Sequence, residues 1–82
     1  MKVKEAVNVL RKFVGKNISE WFHHYYGTAD FPVKYKLKKA NNREVVVYCY
    51  QNGKVWSVSF RPSIFLQKVD RDYAPRDLLR VL

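Results

Sequence analysis

The chain predicts an α+β domain: one or two N-terminal helices packed on a three- to four-stranded antiparallel sheet, closed by a short C-terminal helix. Three features predict it. Apolar residues recur at helical spacing from Val3, an Asn52-Gly53 pair separates two β-branched and aromatic runs, and a leucine-rich tail follows Pro75. With 82 residues the chain supports one core, so residues 1–82 read as a single small basic domain. An apolar share of 48% and an aromatic share of 16% supply that core and argue against a disordered basic tail.

Val3, Ala6, Val7, Leu10, Phe13 and Val14 form the apolar stripe of the first helix, and Gly15 and Asn17 follow where a left-handed stop costs little. In "NISEWFHHYYG" the residues Ile18, Trp21, Phe22, Tyr25 and Tyr26 share a helical face. We expect a second short helix there, capped by Ser19 and ended by Gly27. "GTADFP" is a loop, after which the strand 33–39 begins beyond Pro32.

Residues 44–60 form a hairpin. A two-residue Asn52-Gly53 turn pairs Gln51 with Lys54, Cys49 with Trp56, Val47 with Val58 and Val45 with Phe60, which makes a core face. The strand "VKYKLKK" joins this hairpin in one of two ways. A two-residue Asn41-Asn42 turn turns Lys34, Lys36 and Lys38 into the core, at a desolvation cost. A three-residue loop, 41–43, pairs Tyr35 with Cys49 and Leu37 with Val47. It sets Lys34 beside Tyr50, Lys36 beside Tyr48 and Lys38 beside Val46, and we adopt it. Beyond Arg61-Pro62-Ser63, "IFLQKV" reads as a fourth strand. "DRDYAPRDLLRVL" then turns into the terminal helix, with Asp72 near its start and Leu78, Leu79, Val81 and Leu82 for burial.

Lys and Arg number 16 against 7 acidic residues, for a net charge of +9, which points to a polyanionic partner. Lys34, Lys36 and Lys38 share their face with Tyr48 and Tyr50, and Arg43 stands at the loop. Alternate strand residues lie about 6.6 Å apart, so the lysines could grip a phosphate backbone at several points while the rings stack on bases. A second basic strip, Lys4, Arg11 and Lys12 with Lys16 beyond, could follow a phosphate backbone, although Glu5 interrupts it. The competing explanation of the strand lysines is that they guard a sheet edge against aggregation.

These features predict a non-enzymatic nucleic-acid-binding protein that favours single-stranded DNA or RNA over duplex. The solitary small-domain form suits an accessory factor of a bacterium, phage or mobile element. The alternative is an interaction module or inhibitor that meets an acidic protein surface through Trp21, Tyr25 and Tyr26. No nucleophile, base and oxyanion site assemble into an enzyme, and no cofactor motif occurs. His23-His24 lacks companion ligands at metal spacing, and Cys49, the single cysteine, reads as a small buried hydrophobe. One cysteine and the lack of an apolar run of about 18 residues predict a reduced, cytoplasmic chain with no membrane partner. The oligomeric state is left open.

Overall fold

A computed structural model of the protein describes residues 2–25 and 27–82. Helix α1 spans Val3–Leu10 and tightens into a 3-10 turn over Arg11–Phe13. Three strands follow, β1 at Lys34–Ala40, β2 at Val45–Gln51 and β3 at Lys54–Phe60, and two short helices close the chain, α2 at Pro62–Gln67 and α3 at Arg76–Leu79. The sheet is antiparallel with the order β1-β2-β3.

One core lies between the sheet and everything packed beneath it. Tyr35, Leu37, Ala40, Val45, Val47, Cys49 and Phe60 point inward from the strands and meet Ala6 and Leu10 of α1, Phe65 and Leu66 of α2, and Leu78 of α3. Phe22 sits at its centre, stacked on Phe65 at 4.5 Å and edge-on to Tyr35 at 5.0 Å and Phe60 at 5.7 Å. Burial of Cys49 pushes its thiol pKa up, as befits a small hydrophobe in that layer. The first helix ends sooner than its stripe suggests, because Val14 is extended and 43% exposed. Gly15, at φ 85°, makes the left-handed stop.

The β2–β3 hairpin has the expected register throughout, from Gln51 opposite Lys54 to Val45 opposite Phe60. Asn52 and Gly53 both have positive φ, 48° and 77°, as a type I′ turn requires.

Two elements differ from expectation. Among the described residues, 17–25 and 27 make no helix: a single turn at Ile18 leads into an extended segment that bonds on both sides. Ile18 N–H donates to the Tyr35 carbonyl (2.9 Å), Asp70 N–H to the Trp21 carbonyl (2.7 Å), and His23 N–H to the Lys68 carbonyl (3.3 Å). Ser19 caps nothing, since its hydroxyl instead accepts the Tyr35 N–H at 2.8 Å. Gly27 ends no helix either; it allows a close approach, since a Cβ there would lie 2.6 Å from the Val33 nitrogen. These long-range backbone bonds outweigh the helical spacing of the aromatics.

Residues 64–69 are no fourth strand. Pro62 starts α2, where its fixed φ and missing N–H are harmless, and the Arg61 carbonyl accepts from Ile64 and Phe65 (both 3.0 Å). Pro62, Phe65 and Leu66 are the buried face of that helix. The sheet therefore stops at β3.

Candidate nucleic-acid interface

The connection between β1 and β2 decides where the lysines point. Lys34 pairs with Tyr50, Tyr35 with Cys49, Lys36 with Tyr48 and Leu37 with Val47, as the three-residue loop predicts. The expected pairing of Lys38 with Val46 does not occur, because the register shifts between Leu37 and Lys39 and Lys39 stands opposite Val46. The loop is tighter than expected. Asn41 N–H donates to the Glu44 carbonyl (2.9 Å), and the Asn41 side-chain oxygen accepts the N–H groups of Arg43 and Glu44, both at 2.8 Å. Asn41 thus stabilises a two-residue turn at 42–43, and the odd residue is taken up by a bulge at Lys38 instead of by the loop. Parity is preserved, so the lysines stay out of the core.

The face away from the core carries Lys34, Lys36, Lys38 and Lys39 from β1, Glu44, Val46, Tyr48 and Tyr50 along β2, and Val55, Ser57 and Ser59 from β3. All four lysines are exposed, Val55 is 59% exposed, and Tyr48 and Tyr50 are half-buried among their neighbours. The Lys38 ammonium lies 4.9 Å from the Tyr48 ring centroid, and the two tyrosine rings are 6.4 Å apart and tilted by 59°. Arg43 is exposed at the turn, beside this face.

Lys39 and Glu44 are members of this face that the sequence reading missed. The Lys39 ammonium meets the Glu44 carboxylate at 3.3 Å, and the Ser59 hydroxyl donates to the same carboxylate at 2.9 Å. The Ser59 hydrogen bond, then Lys39, hold the Glu44 pKa below the usual carboxylate range. The break in alternation at Lys38-Lys39 was the signal for the bulge, since two adjacent lysines of a regular strand cannot both face away from the core.

At the hairpin end the face runs into a cleft of about 370 Å³ whose lining includes Phe31, Lys34, Tyr50, Lys54 and Val55. The Gln51 side-chain amide donates to the Phe31 carbonyl (3.1 Å) and ties the 27–33 loop to this wall. A larger cleft, of about 650 Å³, lies on the other side of that loop, lined by His23, His24, Tyr25, Lys34 and Lys68 among others. Burial, and then the nearby Lys68, lower the His24 pKa.

The outer margin of β1 is covered. Gly15 N–H donates to the Leu37 carbonyl (2.7 Å), Leu37 N–H donates to the Lys16 carbonyl (3.1 Å), and Asn17 bridges to Lys36. The strand that carries the lysines is an edge strand of the three-stranded sheet, but its outer margin is covered from Tyr35 to Leu37 by residues 15–18.

The second basic strip is not brought to this face. Lys4, Arg11 and Lys12 are exposed positions of the helix layer, across the core from the lysine-tyrosine surface. Two of them also have partners within the chain: the Arg11 Nε–H donates to the Ala40 carbonyl (3.3 Å), and Lys12 pairs with Asp77 at 3.8 Å. The aromatic anchors of the alternative reading are also dispersed. Trp21 is 5% exposed and edge-on to Phe13 at 5.8 Å, a core residue and not a surface anchor, because the chain folds back to pair with 68–70. Tyr25 is 43% exposed, and Tyr26 lies outside the described residues. The Tyr35 hydroxyl organises this stretch by accepting the N–H groups of His24 (3.1 Å) and Tyr25 (2.6 Å) and donating to the Tyr25 carbonyl (3.2 Å).

Among the described residues, no group of three or more His, Cys, Asp or Glu side chains could hold a metal ion, and no helix is long and apolar enough to cross a membrane. Comparison of the chain with family models, curated proteins and solved structures finds no match.

Proposed function

We propose that this chain is a non-enzymatic nucleic-acid-binding protein that takes single-stranded DNA or RNA on the open face of its sheet. Lys34, Lys36, Lys38 and Lys39, with Arg43 at the turn, neutralise phosphates, and Tyr48 and Tyr50 offer ring surfaces to unpaired bases. The cleft beside Tyr50 and Lys54 extends the track past the hairpin end. One observation carries the reading. The lysines stand on a strand whose outer margin is already occupied by residues 15–18, so edge protection does not account for them. Single strands are favoured because a broad sheet face with tilted rings suits splayed bases better than a duplex groove.

The test is a salt-series titration against single-stranded DNA, duplex DNA and RNA of matched length. Five phosphate contacts predict a log-log slope of about −3.5 for single strands, at about −0.7 per contact. Tyr50→Ala should weaken single-strand binding about tenfold, within the roughly 1 to 3 kcal/mol of a base–aromatic stack. Tyr48→Ala should cost less, because the Lys38 ammonium already occupies part of that ring. Absence of binding to all three nucleic acids at low salt would overturn the proposal.

A further inference from the structure

The other margin of the sheet, along β3, has no cover. Strand β3 pairs only with β2, and none of the backbone hydrogen bonds from loops, turns or helices reaches residues 54–60 among the described residues. The two-residue turn fixes which groups are left over. Gln51 and Lys54 exchange hydrogen bonds as the closing pair, so the backbone groups of Lys54, Trp56, Val58 and Phe60 point toward β2. Those of Val55, Ser57 and Ser59 point outward, and all three residues are exposed.

This margin also lacks the usual protections. From Val55 to Phe60 it carries no charge, no proline and no bulge, and Trp56 and Val58 on its core side are only partly buried. Natural edges of this kind are normally covered or charged.

We propose that β3 pairs antiparallel with β3 of a second copy of this chain, about a two-fold axis at Ser57. The register follows from the outward groups. Ser57 exchanges both of its hydrogen bonds with Ser57 of the second copy, while Val55 and Ser59 exchange theirs with Ser59 and Val55 across the axis. That arrangement satisfies every outward N–H and C=O from 55 to 59. It sets Trp56 against Val58 of the second copy and Lys54 against Phe60, so no like charges meet. The result is a continuous six-stranded sheet whose two lysine-tyrosine faces lie on the same side. A peptide strand could fill the same hydrogen-bond positions; a second copy is the favoured occupant because the strand is self-complementary about Ser57 and its uncharged run opposes no like charges.

The interface is a single strand pair and belongs to the weak class, below about 1,200 Å². Because each chain carries +9, association should tighten as salt rises, opposite to the salt dependence of nucleic-acid binding. The two proposals can therefore fail separately. Sedimentation equilibrium of the full chain without nucleic acid, up to about 1 mM, should show a concentration-dependent dimer favoured by salt. Amide exchange at Val55, Ser57 and Ser59 should slow as concentration rises, while exchange elsewhere in the sheet stays constant. Ser57→Pro removes the outward N–H without touching the ladder to β2, and Ser57→Lys places two ammonium groups face to face. Both should abolish the dimer, and an unchanged unfolding midpoint in either one excludes misfolding as the cause. A chain that stays monomeric to 1 mM at high salt, or a dimer that both substitutions leave intact, would overturn the pairing.

Discussion

The two margins of the sheet are protected in opposite ways. Beside β1, residues 15–18 close the backbone with hydrogen bonds of 2.7 to 3.1 Å, and that already-covered strand carries four lysines. Beside β3 no described residue closes the backbone, and the strand between Lys54 and Arg61 carries no charge. If lysine served here as an edge guard, the distribution would be reversed. The contrast assigns the β1 charge to the face that it projects from, and leaves β3 as the margin where another strand can add.

The sharpest way to break this contrast is to remove the charge from β1. The triple substitution Lys34→Gln, Lys36→Gln and Lys38→Gln should lower single-strand affinity about a hundredfold at 0.1 M salt, since three contacts at about 0.7 each give roughly two decades. The salt slope should become shallower by about 2. All three side chains are exposed, so the unfolding midpoint should hardly move. Unchanged affinity would show that the lysines do not touch the nucleic acid.

A smaller effect should follow from disturbing the cover of β1. Gly15 has φ 85° and nothing within 4 Å of a would-be Cβ, so Gly15→Ala is opposed by backbone conformation alone. It should cost about 1 to 2 kcal/mol in a denaturant titration. Amide exchange at Leu37, whose N–H donates to Lys16, should quicken, whereas exchange along β3 should not respond. Equal loss of protection at both margins would mean that residues 15–18 do not specifically seal β1.

The smallest effect belongs to Glu44, the acid that pairs with Lys39 on the lysine face. Glu44→Gln should release Lys39 and raise single-strand affinity by a few-fold at most, as befits an exposed ion pair. Acid should do the same reversibly. The Glu44 pKa is depressed in the folded state, so its contribution to stability is complete above the ordinary carboxylate pKa and is lost as pH falls through the depressed value. A turn that tightens on acidification, followed by the chemical shifts of Asn41 and Ser59, would contradict that sign.

Much of the face was legible before any coordinates. Asn52-Gly53 allows one hairpin register, and strict alternation from Val33 to Lys38 then demands that the lysines leave the core together. The means by which they do so was not legible. Asn41 favours a tight turn, and Lys38 takes up the spare residue as a bulge, an exchange that leaves parity untouched and so hides behind the same pattern. Trp21 and Phe22 misled for a different reason. Their spacing fits a helix, but their backbone pairs with Val69 and Asp70, nearly fifty residues away, and no local propensity reports such a partner.

By itself the sequence determined the direction in which each strand side chain points, because alternation and turn chemistry act between neighbours in the chain. Only the tertiary structure decided which strand would finish the sheet. That outcome rests on residues 15–18 reaching β1 and on Pro62 diverting the chain into α2, and hydrogen bonds between distant segments leave no periodic trace in either partner.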